Sequence, residues 1–490
     1  MRICRRQFGG IALGGLVSRA YPNPLRPAKL LVLVVLEQFR EDYLDAALPR
    51  CVLGGIRKLL YRGAHFPDCR HLGSTFSSTT LATLATGAWP SQHGIVAGSW
   101  YDMASRKPVS ASSEALLATT VCAQAAGAGN RVYVVGTDLT SAALFAGTRQ
   151  ARVFWIDDNG QFTTLGELPD WLVNYNGAHS VESLHNVKWM AIGGRPGAPP
   201  LRTLTYDADR PQEFVALYKA SPYCLAAQFA FVNELITRER IGQGETQDFL
   251  CLLSGSSALL GYEFGGASPL MLQMTLALDR QLEILLNRLT TTPGENAFHL
   301  VLAGAHGAPP APAPESRARM AVNGEGIAQA VDRMLAAAGA GQVNRYLYPF
   351  LYLDSSGFRD PEPIRVAAGR AAMEQAPVAG FYTAGGACST RDGWEVRFRN
   401  SFHPKRSGDV MLSYRPEYVE DYGQGRGISY GSLYNYDVRV PLWFYGPQFR
   451  TDVFEDPVES VDVAPTLARL MGVAQPSSSM GRVLGEAFAE

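Results

Sequence analysis

Thiols and imidazoles are the side chains that most often bind metals, form bridges or move protons, and this chain holds seven cysteines and eight histidines. Cys51, Cys69, Cys122, Cys224, Cys251 and Cys388 are widely spaced and contain no CxxC pair, which argues against a cysteine zinc site. Cys251 lies within the apolar run Phe249-Leu250-Cys251-Leu252-Leu253 and reads as a buried thiol, while the six cysteines that remain once Cys4 leaves with the N-terminal segment permit one or two disulfides. His65 and His71 read as loop residues rather than as a metal pair. Ser77 precedes Thr79-Thr80-Leu81-Ala82-Thr83, the start of a helix, where serine is a favoured N-cap.

The elements that must position such residues alternate between strand and helix. Lys29 to Gln38 is a continuous apolar run of strand length, followed by a helical pattern from Val52 to Arg62. Arg131 to Gly136, Phe249 to Leu253, Ala297 to Ala303 and Val440 to Tyr445 are further runs rich in branched and aromatic residues. Runs buried on both faces suit a parallel sheet covered by helices. Pro269 to Leu289 carries apolar residues at helical spacing, and Val461 to Met471 is a second such stretch. The expected fold is therefore an α/β three-layer sandwich with a mostly parallel central sheet. Its active site would lie at the carboxyl ends of the strands. Pro309 to Pro314 reads as an extended linker, and residues from about 310 to 435 as an inserted lobe.

Length and composition bound the rest. Apolar residues make up 47% and charged residues 18% of 490, enough for a large core, with 49 glycines and 30 prolines for turns and loops. A net charge of −1 gives no basic field for nucleic acid, and no internal run is long enough to span a bilayer. Arg2, Arg5 and Arg6, the short apolar stretch Phe8 to Val17 and the small-residue site Ser18-Arg19-Ala20 form a signal peptide over 1–20. The Arg5-Arg6 pair suggests the twin-arginine route, with 21–28 as a linker and the folded domain over 29–490. Removal of 1–20 leaves 40 basic against 45 acidic residues, a net charge of −5. The mature protein is expected to be periplasmic or secreted.

Several segments in order carry a family resemblance. Leu36-Glu37-Gln38-Phe39-Arg40, Ser74 to Gly87, His93-Gly94-Ile95-Val96 and Trp100-Tyr101-Asp102 are followed by Phe154-Trp155 and Leu168-Pro169-Asp170-Trp171. Ser401 to Asp409, Gly431 to Asp437 and Asp462 to Leu467 complete the series, which spans nearly the whole mature chain. The pattern resembles the alkaline phosphatase superfamily, in the branch of Thr-nucleophile alkaline phosphatases and type I phosphodiesterases/nucleotide pyrophosphatases. That resemblance implies two zinc ions held by three Asp and three His, a Thr or Ser nucleophile at a helix N-terminus, and an Asn with a Lys-x-Arg pair on the phosphoryl oxygens.

Carried over position by position, much of that machinery is missing. The nucleophile position falls at Ser77. The first metal Asp is Glu37, and of the later ligands only His306 persists. Ala258, Tyr262, Ala305 and Tyr430 stand at the other metal positions, and Gly98, Asp138 and Thr140 at those of the phosphate-binding Asn, Lys and Arg. A zinc ion normally takes three or four protein ligands, so the two residual donors Glu37 and His306 do not suffice for two sites. The expectation is an exported, non-catalytic relative without a cofactor, which binds a small ligand or an envelope protein. The alternatives are an active phosphate- or sulfate-ester hydrolase using Ser77 with one or two zinc ions, or a structural envelope protein.

Overall fold

Strand Leu30–Leu36 is buried at every residue. Leu30, Val32, Val34 and Leu36 enter one apolar cluster, and Leu31, Leu33 and Val35 enter another. Side chains alternate across a strand, so both faces of this strand are covered. The computed structural model describes residues 28–207, 209–309, 320–339, 341–354, 357–390, 393–416, 418–421 and 430–489. The expected signal peptide, residues 21–27 of the expected linker and most of the proline run lie outside the described residues.

Among these residues ten strands form one sheet: β1 (Leu30–Leu36), β2 (Ala64–Arg70), β3 (Val132–Gly136), β4 (Arg152–Ile156), β5 (Phe162–Thr164), β6 (Asp248–Ser254), β7 (Phe298–Gly304), β8 (Arg439–Tyr445), β9 (Asp452–Val453) and β10 (Val458–Glu459). Their order is β9-β2-β8-β7-β1-β6-β3-β4-β5, with β10 also paired to β2. The centre, β7-β1-β6-β3-β4, is parallel throughout. β8 runs antiparallel to both β7 and β2, which burial on both faces could not reveal.

The covering helices include α1 (Ser77–Thr86), α2 (Val121–Gly127), α3 (Leu139–Ala146), α4 (Pro222–Arg238), α5 (Ser256–Phe264), α6 (Pro269–Leu289) and α7 (Val463–Met471). Leu81, Cys122, Phe145 and Leu467 bring α1, α2, α3 and α7 to one face. Phe229, Leu260 and Leu282 bring α4, α5 and α6 to the other. The result is a mixed α/β fold with a mostly parallel central sheet between two helical layers. Helix α6 matches its sequence pattern residue for residue, begun by the Ser268 hydroxyl accepting Leu270 N–H with Pro269 in the first turn.

Residues 321–421 build a second, antiparallel sheet of five strands from Gln342–Leu347 to Val410–Tyr414, packed against helices Gly324–Ala337 and Glu362–Met373. Phe350, Tyr352 and Phe398 of this unit share a cluster with Phe76, Ile95 and Trp100 of the main body. Arg406 fastens the two, donating to the carbonyls of Gly94 at 2.7 Å and Ala115 at 2.6 Å while lying 5.0 Å over the Trp100 ring.

Three expectations are corrected. His65 is on strand β2, stacked at 4.5 Å on Trp443, so it is not a loop residue; His71 follows the strand in irregular backbone, as expected, but is fully buried. The six cysteines are all buried free thiols; Cys122 and Cys251 face one another at 3.9 Å without a bond. The helix expected from Val52 begins at Ile56, because Asp279 of α6 accepts the Val52 and Ile56 N–H groups at 2.7 Å each and so caps it from outside.

Candidate functional site

In register, Leu36 of β1 pairs with Ser254 of β6 and Gly304 of β7, so three central strands end level. The chain emerges there as Glu37, Gly255 and Ala305. Glu37 N–H donates to Ser254 O at 3.1 Å, and Ala305 N–H to Leu36 O at 2.8 Å. Gln38 then takes a left-handed turn, φ 51°, a conformation that disfavours residues other than glycine. Phe39 N–H donates to His306 O at 2.8 Å, and Ser257 Oγ to Glu37 O at 2.6 Å, so the Glu37 and His306 loops are tied to each other. Gly307 lets His306 sit where it does, since a Cβ there would meet Tyr436 O at 1.9 Å.

Ser77 completes the cluster. It is the first residue of α1 rather than its N-cap, which is Phe76, so the N-cap reading is corrected. Its hydroxyl donates to Glu37 Oε2 and lies 3.3 Å from His306 Nε2. His306 Nδ1 is 2.8 Å from Gly307 O, a carbonyl that only an N–H can bond, so the proton is assigned to Nδ1 and Nε2 presents its lone pair to Ser77. The imidazole is fully buried and stacked on Tyr430 with 4.0 Å between ring centroids.

A cavity of about 350 Å³ opens in front of Ser77, lined chiefly by Phe76, Gly98, Tyr262, Leu347, Tyr348 and Tyr430. Tyr262 and Tyr430, which the family resemblance puts at metal positions, therefore form part of its wall. Ala258 and Ala305 are buried behind it. Gly98 leaves the opposite side open: a Cβ there would find only Ser78 Oγ, at 4.0 Å. Phe76, Leu347 and Tyr348 escaped sequence reasoning. The last two come from the 321–421 unit, where no spacing links them to Ser77.

Asp138 and Thr140 are not in this wall. Asp138 caps α3, its two oxygens accepting the Ser141 N–H and hydroxyl at 2.9 Å each. Burial holds its carboxyl above the usual range, and the Glu37 charge adds to this against the Ser141 hydrogen bonds. Thr140 is exposed and faces a separate groove of about 830 Å³. Asp437 is fully buried, with Oδ2 accepting Ser432 N–H at 3.0 Å, and burial pushes its carboxyl up to about 6.

The model of the family described as type I phosphodiesterase/nucleotide pyrophosphatase matches residues 31–425. The chain belongs to that family. It is 24% identical over 551 aligned residues to alkaline phosphatase PafA of Elizabethkingia meningoseptica, covering 98% of both chains. To alkaline phosphatase PhoV of Synechococcus elongatus it is 24% identical, covering 95% of this chain and 94% of that one. The crystal structure of wild-type PafA superposes with a TM-score of 0.80 at 21% identity, over 95% of this chain and 100% of the other. Murine ectonucleotide pyrophosphatase/phosphodiesterase 5 gives a TM-score of 0.57 at 16% identity, over 91% and 95%. The fold is that of phosphoester hydrolases.

The zinc pair that the family resemblance implies does not fit the side chains at this site. Among the described residues no group of three or more His, Cys, Asp or Glu is placed to hold a metal ion. Glu37 instead accepts the Ser77 hydroxyl, and His306 Nε2 lies 3.3 Å from the same oxygen. The described lining of the cavity also contains no Lys or Arg. No described helix is long and apolar enough to cross a membrane.

Proposed function

We propose that this family member has left two-zinc phosphoryl transfer behind and acts by binding an uncharged ligand in the cavity before Ser77. The observation that carries this reading is the replacement of metal and phosphate groups by Tyr262, Tyr430 and Gly98, with Glu37 left as the charged side chain beside the cavity. A phosphate dianion there would meet a carboxylate, and no Lys or Arg among the described lining residues offsets the like-charge repulsion. Each missing donor to a transition-state oxyanion is worth on the order of 10²–10³ in rate. The arginine-rich N-terminus supports export to the periplasm or beyond.

The test is an assay of aryl phosphate mono- and diesters with zinc, manganese or calcium, comparing wild type with Ser77→Ala. The reading expects no turnover that the substitution abolishes. Metal-dependent turnover present in wild type and absent in Ser77→Ala would make the protein an active ester hydrolase.

A further inference from the structure

We infer that Ser77, Glu37 and His306 form a metal-independent acyl-transfer site for neutral carboxylic esters seated in the aromatic cavity. The inference rests on the reading that this cavity takes an uncharged ligand, and it names that ligand's chemical class. Three independent features converge on it.

The first is the nucleophile. Ser77 is partly exposed at the cavity wall, and its oxygen has two proton acceptors, the Glu37 carboxylate and the unprotonated Nε2 of His306 at 3.3 Å. A hydroxyl hydrogen-bonded to a base that a third group orients is the general signature of an activated serine. Here Gly307 O orients the ring through Nδ1, and the Tyr430 stack fixes its plane. Glu37 Oε2, 3.7 Å from Nε2, faces the positive charge that the ring acquires on taking a proton.

The second feature is the site for developing charge. Ser77 opens a ten-residue helix, and N–H groups of a first helical turn lack intrahelical acceptors. They lie beside the oxygen that attacks, where a tetrahedral acyl intermediate places one negative charge. The third is the binding surface. Phe76, Tyr262, Tyr348 and Tyr430 enclose a space suited to an aromatic or branched apolar group. An ester enters neutral, so the Glu37 carboxylate does not repel it as it would a phosphate.

The chemistry balances without a cofactor. The Ser77 hydroxyl turns from Glu37 Oε2 to His306 Nε2, and Ser77 Oγ then bonds to the acyl carbon as its proton passes to Nε2 and the carbonyl electron pair moves to oxygen. That pair returns as the acyl–O bond breaks, and the departing alcohol takes the proton from His306. Solvent water then cleaves the Ser77 ester, releasing a carboxylic acid and restoring the hydroxyl.

The experiment incubates the purified protein with p-nitrophenyl butyrate in excess EDTA and maps butyrylated peptides by mass spectrometry. The same ester's hydrolysis-resistant anilide is titrated against Ser77→Ala by tryptophan fluorescence. Expected are a butyryl adduct on Ser77 in wild type, its loss in Ser77→Ala, saturable anilide binding, and a roughly 10²-fold slower adduct in a folded His306→Gln variant. Anilide binding without any Ser77 adduct overturns the acyl chemistry and leaves the cavity reading standing. Absence of both sinks both, and an adduct formed only after zinc addition overturns the metal-independent mechanism.

Discussion

His306 uses both ring nitrogens, one toward Gly307 O and one toward Ser77, and covers a face with Tyr430. The residue that the family resemblance puts at a metal position is thus held by the protein's own groups. Ala305, beside it, is fully buried under the end of β1. Ala305→Asp would place an unpaired carboxylate near Glu37 in a space with no cation among the described residues. We expect a loss of about 3–5 kcal/mol, the scale of an uncompensated buried charge, read as a lower urea midpoint. An unchanged midpoint would show that the site still accepts the ancestral charge. At this scale Glu37, Ser77, His306, Tyr262 and Tyr430 were legible because intact motif residues flank each of them. Asp138 and Thr140 were not, since few flanking residues anchor that segment and its side chains serve the cap of α3 instead.

Helix α1 and its following turn hold the nucleophile by neutral, buried hydrogen bonds. His93 Nδ1 accepts Ile95 N–H at 3.1 Å, so Nε2–H donates to Thr83 Oγ1 at 3.1 Å. Protonating Nδ1 would set two N–H groups against each other. Burial, with the charge of His71 adding to it, pushes His93 down to about 3. His71 is likewise pushed down to about 3 by burial, with the charge of His306 adding to it. Both folded values lie below the unfolded 6.5. Stability is therefore fully present above pH 6.5 and falls, by up to roughly 1.4 kcal/mol per pH unit per group, as pH drops toward 3. Asp437 acts in the opposite sense: its folded value is raised, so it contributes below the unfolded value and loses that contribution as pH rises through about 6. His93→Gln should shrink the stability loss between pH 7 and 5 by roughly 2 kcal/mol, measured by denaturant melts at both values. A pH dependence identical to wild type would contradict the assignment. Also at this scale, Gly307→Ala should lower the melting temperature, because its methyl group would collide with the Tyr436 backbone.

Element boundaries could be read from the sequence to within a few residues wherever an apolar pattern ran uninterrupted, as in β1, β6, β7 and α6. The reading failed where distant groups decide. Asp279 shortens the helix at Ile56, and pairing between β7 and β2 sets the direction of β8. The even count permitted disulfides, but the burial of six described thiols as free groups, Cys122 and Cys251 even within one cluster, is invisible to counting.

The molecule as a whole keeps an ordered sandwich around an altered centre. Two apolar clusters back the sheet, and a third ties the 321–421 unit to the body. None of these clusters includes Glu37 or His306. A thermal melt with and without chelator should therefore show the same midpoint, whereas a metal bound only by the folded state would lower it on removal. The direct measurement of the central claim is the zinc content of purified protein equilibrated with excess zinc and then desalted. With Glu37 and His306 as the residual donors, the expected result is well below one tightly held ion per chain. About two ions per chain, lost on Glu37→Ala or His306→Ala substitution, would contradict it.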